Sequence, residues 1–319
     1  MNRTELVPEK KCFGVFLGLE HRDTTERVIN ILLAVLNFPT SLGAVVENFI
    51  LILAIWKNTH LHKPSFVLLG CLAFSDLLTG LVSQPCLVAY GIAKHYKNWT
   101  ATCNATILTT LSIVVLSGVS VLTLTVISID RFLALHYHLR YEEIVTVPRV
   151  LVLFAGFWPV FLILLIPRIL NELIIFTILL STGCTISLII ILVCYWKIYK
   201  ITEKHRSQIQ DLERAMQHAN RLTNEQIKTG KKSSFSFFIV TVIFLGFSIP
   251  YLIFCMLLIV IGFHGFVVQL GDLSFTIITI TASINPFVYC WRLQELRDAA
   301  KRQVKLIFKC WNRSENIEN

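Results

Sequence analysis

Residues 103–137 read CNATILTTLSIVVLSGVSVLTLTVISIDRFLALHY, and no charged side chain occurs between Asn98 and Ile129. A helix rises about 1.5 Å per residue and the hydrocarbon core of a bilayer is about 30 Å thick, so about 20 such residues suffice to cross it. A surface helix of a soluble domain would show charge along its outer face over this length. The run is therefore predicted to span a membrane, and it ends where Asp130 and Arg131 reappear.

Working outward, six further stretches of the same kind lie at 28–56, 64–93, 147–170, 173–200, 233–262 and 265–291, with the first read as 103–137. Charge or turn signals bound them, such as WKNTHLHKP at 56–64 and HYKNW at 95–99. Seven helical spans put the termini on opposite sides, so the expected fold is an all-α seven-transmembrane bundle. Its three parts are an extracellular segment 1–27, the membrane domain 28–291 and a cytoplasmic segment 292–319. Composition points the same way: of 319 residues 55% are hydrophobic and 15% charged, against roughly 45–50% and about 25% in soluble domains. With 22 Phe, 6 Trp and a mean hydropathy of +0.66, a soluble enzyme of this length is excluded.

The net charge of +9 is not a nucleic-acid footprint, because the basic residues are banded between apolar runs rather than gathered on one face. Of the 29 Lys and Arg, 21 fall between spans one and two, three and four, five and six, or after span seven. The positive-inside rule then puts the N-terminus outside and the C-terminus in the cytoplasm, as in a multi-pass plasma-membrane protein. The first 27 residues carry charge throughout, so the first span is expected to act as its own signal anchor. Asn2, Asn98 and Asn104 open glycosylation sequons on the outer face. Cys12 and Cys103 lie on the oxidising side and are candidates for one disulfide. After span seven, Leu293, Leu296, Ala300, Val304, Ile307 and Phe308 recur at helical spacing with basic residues opposite. That pattern predicts a helix on the inner leaflet, in contact with lipid, with Cys310 either acylated or a plain thiol. The polar stretch 201–232 is rich in helix formers and is expected to continue spans five and six into the cytoplasm.

Polar side chains in mid-membrane cost several kcal/mol unless paired and so mark candidate function. Asp76 in LAFSDLLTG, Glu47 and Asn48 in VVENFILIL, Asn285 before Pro286, and Ser117 and Ser120 in the third span make up this set. A carboxylate, an amide and hydroxyls at one depth suit a small cation with water, or else only glue helices together. Glu47 either faces that cavity or snorkels.

These residues carry a resemblance. SIDRFLALHYHLRY at the end of span three resembles the Asp-Arg-Tyr region of rhodopsin-like (class A) G protein-coupled receptors, through to their Leu-x-Tyr. NPFVYCWRLQELR at the end of span seven is similar to their Asn-Pro-x-x-Tyr motif and following helix. Asn48, LAFSDLL, Trp158, Tyr195, and Phe244 with Pro250 fall in the matching spans in order. The resemblance implies a receptor that converts an extracellular ligand into activation of a heterotrimeric G protein. It implies a cytoplasmic switch of Asp130, Arg131, Phe132, Leu139, Tyr195, Phe244, Pro250, Asn285, Pro286 and Tyr289. It implies a sodium site of Asn48, Asp76, Ser120 and Asn285, sodium being an allosteric ligand. By family position the pocket comprises Cys86, Tyr90, Ile113, Val114, Ser117, Ser248, Tyr251, Cys255, Phe275 and Thr279, a set suited to a small, largely apolar ligand.

Departures narrow the branch. Span six reads FLGFSIPY, with Ser248 in place of the usual tryptophan, span five lacks its proline, and the loop RILNELI at 168–174 is short and has no cysteine. These losses resemble the melanocortin, lipid and adenosine receptors. Ile113 stands where amine receptors carry an aspartate, which speaks against an amine. Relatives commonly restrain the arginine with an acid about twenty residues before the span-six proline. Here that position is Gly230, followed by Lys231 and Lys232, so ligand-free signalling is expected. An intramembrane enzyme is opposed by the placement of all nine histidines in loops or at span ends and by the lack of an HExxH motif. A transporter or channel built on the Asp76 cluster is the alternative, opposed by the lack of internal repeats.

Overall fold

A computed structural model of the chain describes residues 11–12, 15–16, 24–137, 140–216, 246–262 and 264–318. Asn2, Leu139, Phe244 and residues 230–232 lie outside these, as does the Cys310 side chain.

The helices are α1 (Thr24–Lys57), α2 (Pro64–Leu78), α3 (Gln84–His95), α4 (Trp99–Tyr137), α5 (Tyr141–Ile144), α6 (Val147–Leu164), α7 (Ile166–Ile169), α8 (Leu173–Met216), α9 (Gly246–Ile261), α10 (Gly265–Arg292) and α11 (Gln294–Glu318). A π turn, Thr79–Ser83, joins α2 to α3 into one span. Six segments are long and apolar enough to cross a membrane, and the apolar α9 belongs to the remaining one. The chain is a seven-transmembrane-helix, all-α membrane protein. Of the six long spans α4 is the most buried and α6 the least, and α4 packs against α2, α3, α6 and α8.

Sequence chemistry accounts for the local irregularities. Pro64 opens α2, where its missing N–H is one of the orphan donors in any case. Pro85 in QPC cannot donate to a preceding carbonyl, and the chain meets it with a π turn. Pro286 lies within α10 and leaves the Ala282 carbonyl without its helical donor. The Asn48 amide, from α1, fills that place at 2.9 Å.

The polar stretch after span five continues as helix to Met216, an uninterrupted α8 of 44 residues. After Arg292 the backbone extends at Leu293 and turns into α11. Leu296 and Ala299 of α11 are fully buried in one core with Leu51, Leu69, Leu72, Ile191 and Tyr289, whereas Leu306 and Ile307 remain exposed. At the other end a two-residue hairpin pairs Lys11 with Phe16 and Cys12 with Val15. A disulfide joins Cys12 to Cys103 in the first turns of α4.

Candidate functional site

The mid-bundle polar core forms where α2, α4 and α10 meet. Asp76, buried, accepts hydrogen bonds from the Ser120 hydroxyl at 3.1 Å and the Asn285 amide at 2.8 Å. Ser75 adds a hydroxyl 2.9 Å from that of Ser120. Asp76, Ser75 and Ser120 thus gather their side-chain oxygens within hydrogen-bond distance of one another. Asn48 gives its amide protons to the Ala44 and Ala282 carbonyls, and its buried side-chain oxygen has no hydrogen-bond partner among the described residues. Ser75 was not singled out in the sequence, although its place beside Asp76 on the same buried helix was the available signal. Glu47 of α1 is half-buried, and one of its carboxylate oxygens has no hydrogen-bond partner among the described residues.

At the C-terminal end of α4 the Asp130 carboxylate, fully buried, holds the Arg131 guanidinium at 3.1 Å. The other oxygen accepts the Tyr141 hydroxyl from α5. Burial, and then that hydrogen bond, push the Tyr141 phenol above the usual tyrosine range, so it remains the donor. The Phe132 ring stacks on His136, with the Lys197 ammonium of α8 at 5.2 Å over its face. Tyr195 and Tyr289 are buried together with Leu124 and Ile127, just inside this point. Pro250 lies in α9 and Pro286 in α10.

Toward the other end two chambers open between α4, α8, α9 and α10, with further walls from α6 for one and from α3 and α7 for the other. The inner one, about 210 Å³, is walled by Ile113, Ser117, Phe161, Cys184, Ser248 and other mostly apolar residues. The outer one, about 120 Å³, is walled by Leu87, Tyr90, Thr109, Arg168, Cys255 and Asp272 among others. Val114, Leu180, Tyr251 and Phe275 belong to both walls. Eight of the ten residues expected in the pocket thus come together around these spaces.

Cys86 and Thr279 do not, and each has a physical reason. The π turn adds a residue to the helix ahead of Cys86, so that the register shifts by one and buried Leu87 takes the inward place. The Thr279 hydroxyl points instead to the Asn37 side chain at 3.1 Å and to its own helix carbonyls. Asn37 also donates to Thr276, and Gln84 donates to Thr40 and the Thr279 carbonyl. The set of mid-membrane polar residues is therefore larger than the sequence reading allowed.

Two basic residues near span ends are buried. Lys94 pairs with Asp272 at 2.9 Å. The Tyr90 hydroxyl donates to the same carboxylate oxygen at 3.3 Å. Arg168 is only 2% exposed and lines the outer chamber. Asp272, alone among apolar neighbours in the seventh span, was the signal for the pair. Asn98 caps the first turn of α4 through its side-chain oxygen, and both Asn98 and Asn104 are exposed. Among the described residues no three His, Cys, Asp or Glu side chains gather as metal ligands.

In comparison with known families, the chain matches the one described as 7 transmembrane receptor (rhodopsin family), over residues 47–174 and 170–289. The match runs from the Glu47–Asn48 pair to Tyr289 and so takes in the polar core, the Asp130–Arg131 pair and both chambers.

Proposed function

The chain belongs to the rhodopsin family of seven-transmembrane receptors, and from that premise we infer that it converts the binding of a small, largely apolar extracellular ligand into activation of a heterotrimeric G protein. The observation that carries this reading is the arrangement along one bundle. Mostly apolar chambers lie at one end and the Asp130–Arg131 pair at the other, with the Asp76 core between them. A ligand that binds one helix arrangement better than another shifts the population toward it. Arg131, held by Asp130 in this arrangement, is the cation that meets the G protein once span six moves. Leu139 matches the loop residue that docks in a G-protein pocket, and Tyr195 and Tyr289 turn in to support the arginine.

The Asp76 core is read as a sodium site of the inactive state. Asp76, Ser120 and Ser75 supply the oxygens. Asn285 steadies the carboxylate, and Asn48 braces the backbone at Pro286. A bound cation adds electrostatic stabilisation of the carboxylate, and it favours the helix packing that keeps these oxygens together. The N-terminus faces outward, in keeping with the band of basic residues on the opposite loops and with the Cys12–Cys103 disulfide. The short span four–five loop and the replacement by Ser248 favour the melanocortin, lipid and adenosine branch.

The test is a ligand library read by a panel of G-protein dissociation sensors in cells expressing the chain. We expect a hit of low polarity whose response disappears in Arg131→Ala at matched surface expression. Signalling that survives Arg131→Ala overturns the role of the arginine.

A further inference from the structure

One side of the inner chamber is walled by α6 and α8, two helices that pack more loosely on each other than either packs on α4. On α6 the Phe161 ring lies against Gly118 of α4, where no Cβ would fit. On α8 the same space is faced by Gly183, whose Cβ would meet nothing within 4 Å. Val160, Leu179 and Gly183 all line the chamber, yet Val160 is 45% and Leu179 42% exposed, and Gly183 is exposed as well. All three lie within membrane spans, Val147–Ile169 and Leu173–Lys204, so the medium outside them is hydrocarbon. The chamber therefore reaches the lipid-facing surface between α6 and α8.

Its lining is apolar except for Ser117, Ser187, Ser248, Tyr251, Thr281 and the Cys184 thiol, and no charged side chain is among the described residues that line it. An ion brought into such a space loses its water without gaining a counter-charge, at a cost of several kcal/mol. A hydroxyl or carbonyl meets groups that both donate and accept. The volume, about 210 Å³, is below the roughly 300–1,000 Å³ of a site that encloses a whole drug-sized ligand, and the 120 Å³ of the outer chamber only brings it to the lower end of that range. A lipid enters such a space only in part, and the opening between α6 and α8 gives the rest of it hydrocarbon to lie in.

We propose that the inner chamber takes an uncharged, single-chain amphiphile directly from the bilayer, its polar end on the chamber hydroxyls and the remainder of its chain passing out between α6 and α8. This rests on the reading of the chambers as the ligand pocket, and it adds the class of ligand and the route. The experiment uses the full chain in phosphatidylcholine nanodiscs and five probes: octanol, dodecanol, hexadecanol, hexadecyl sulfate and hexadecyltrimethylammonium. Each is supplied at matched mole fraction in the bilayer, and binding is read by native mass spectrometry and by thermal stabilisation. We expect hexadecanol to bind no more weakly than octanol, and both ions at least about tenfold more weakly than hexadecanol. Gly183→Trp, which sets a ring in the opening, lowers hexadecanol binding at least about tenfold and leaves octanol bound. Leu162→Trp, on an exposed part of α6 that does not line the chamber, changes neither, and Ser117→Phe, which fills the chamber, weakens all three alcohols. Affinity that falls from octanol to hexadecanol on the parent chain, or a Gly183→Trp effect that is the same for both lengths, overturns the opening and leaves the apolar pocket standing. An ion that binds as well as hexadecanol overturns the uncharged class. If no alcohol binds, or if Ser117→Phe leaves all three unaffected, both this inference and the apolar pocket beneath it fail. Should Gly183→Trp not fold, the length series on the parent chain still decides.

Discussion

The Tyr289 hydroxyl is buried beside the Asp130–Arg131 end of the bundle and has no hydrogen-bond partner among the described residues. Leaving such a group unpaired costs about 1–3 kcal/mol, which disfavours this arrangement relative to one in which the hydroxyl finds water or a partner. Tyr289→Phe is therefore expected to raise the thermal stability of the ligand-free protein by about 1 kcal/mol and to reduce agonist-driven G-protein dissociation. A loss of stability in the phenylalanine variant would show that the hydroxyl is paired after all. The Lys94–Asp272 pair behaves oppositely, since removing one partner strands a buried charge. Lys94→Met should cost about 3–5 kcal/mol, and the double change Lys94→Met with Asp272→Leu should recover most of it. Thermal unfolding of both singles and the double decides, and simple additivity counts against the coupling. Asp76 and Asp130 were legible in the sequence because a carboxylate inside or closing an uncharged run has no bland explanation. Lys94 and Arg168 were not, because both sit near span ends, where a shift of a few residues in the boundary moves a side chain from water to protein. Asn37 and Gln84 escaped notice because an amide leaves no mark on the count of charges.

Among the elements, the third, fifth and seventh spans follow their apolar runs closely, whereas the second does not behave as one continuous α-helix. Pro85 was visible in the sequence, but whether a proline produces a kink, a break or a π turn depends on how the freed carbonyls are met by neighbours. That choice put Leu87 in the place assigned to Cys86. Close approach between helices was equally hidden, since a glycine in an apolar run reads the same whether it faces lipid or backbone. In α3 a Cβ on Gly91 would lie 2.8 Å from the Asn30 carbonyl oxygen and 3.1 Å from the Leu33 Cβ of α1, so the two helices would have to part. In α6 a Cβ on Gly156 meets nothing within 4 Å. Gly91→Ala is thus expected to destabilise by about 1–3 kcal/mol through overpacking. Gly156→Ala should stabilise by about 0.5–1 kcal/mol through reduced chain entropy and better helix propensity. Unfolding midpoints in one detergent test the pair, and a shift of the same sign in both removes the argument from close approach.

At the scale of the whole molecule, the number, order and membrane nature of the spans were legible because hydrocarbon thickness and charge banding act on every segment alike. The shape of the chambers was not, because it depends on side chains from seven helices whose rotation no single segment encodes. The balance between resting and signalling arrangements is a property of this same scale. In the resting arrangement Arg131 is held by Asp130, which is itself held by Tyr141, and the Arg131 side chain remains 23% exposed. A partly exposed pair of this kind contributes at most about 1 kcal/mol. In related receptors a second acid near the start of span six adds to the restraint, but here the sequence at that position is Gly230-Lys231-Lys232, which lies outside the described residues. The lysines that follow Gly230 in the sequence supply no carboxylate in its stead. A difference of about 1 kcal/mol alters a two-state ratio about fivefold, so the missing acid is enough to make ligand-free signalling measurable. Gly230→Glu should lower that basal level while leaving surface expression unchanged, and Arg131→Ala should abolish it. The check is G-protein dissociation without ligand across graded expression of the three proteins. A parent chain no more active than empty cells, or a high basal level untouched by Gly230→Glu, would mean that Asp130 and Tyr141 alone hold the arginine.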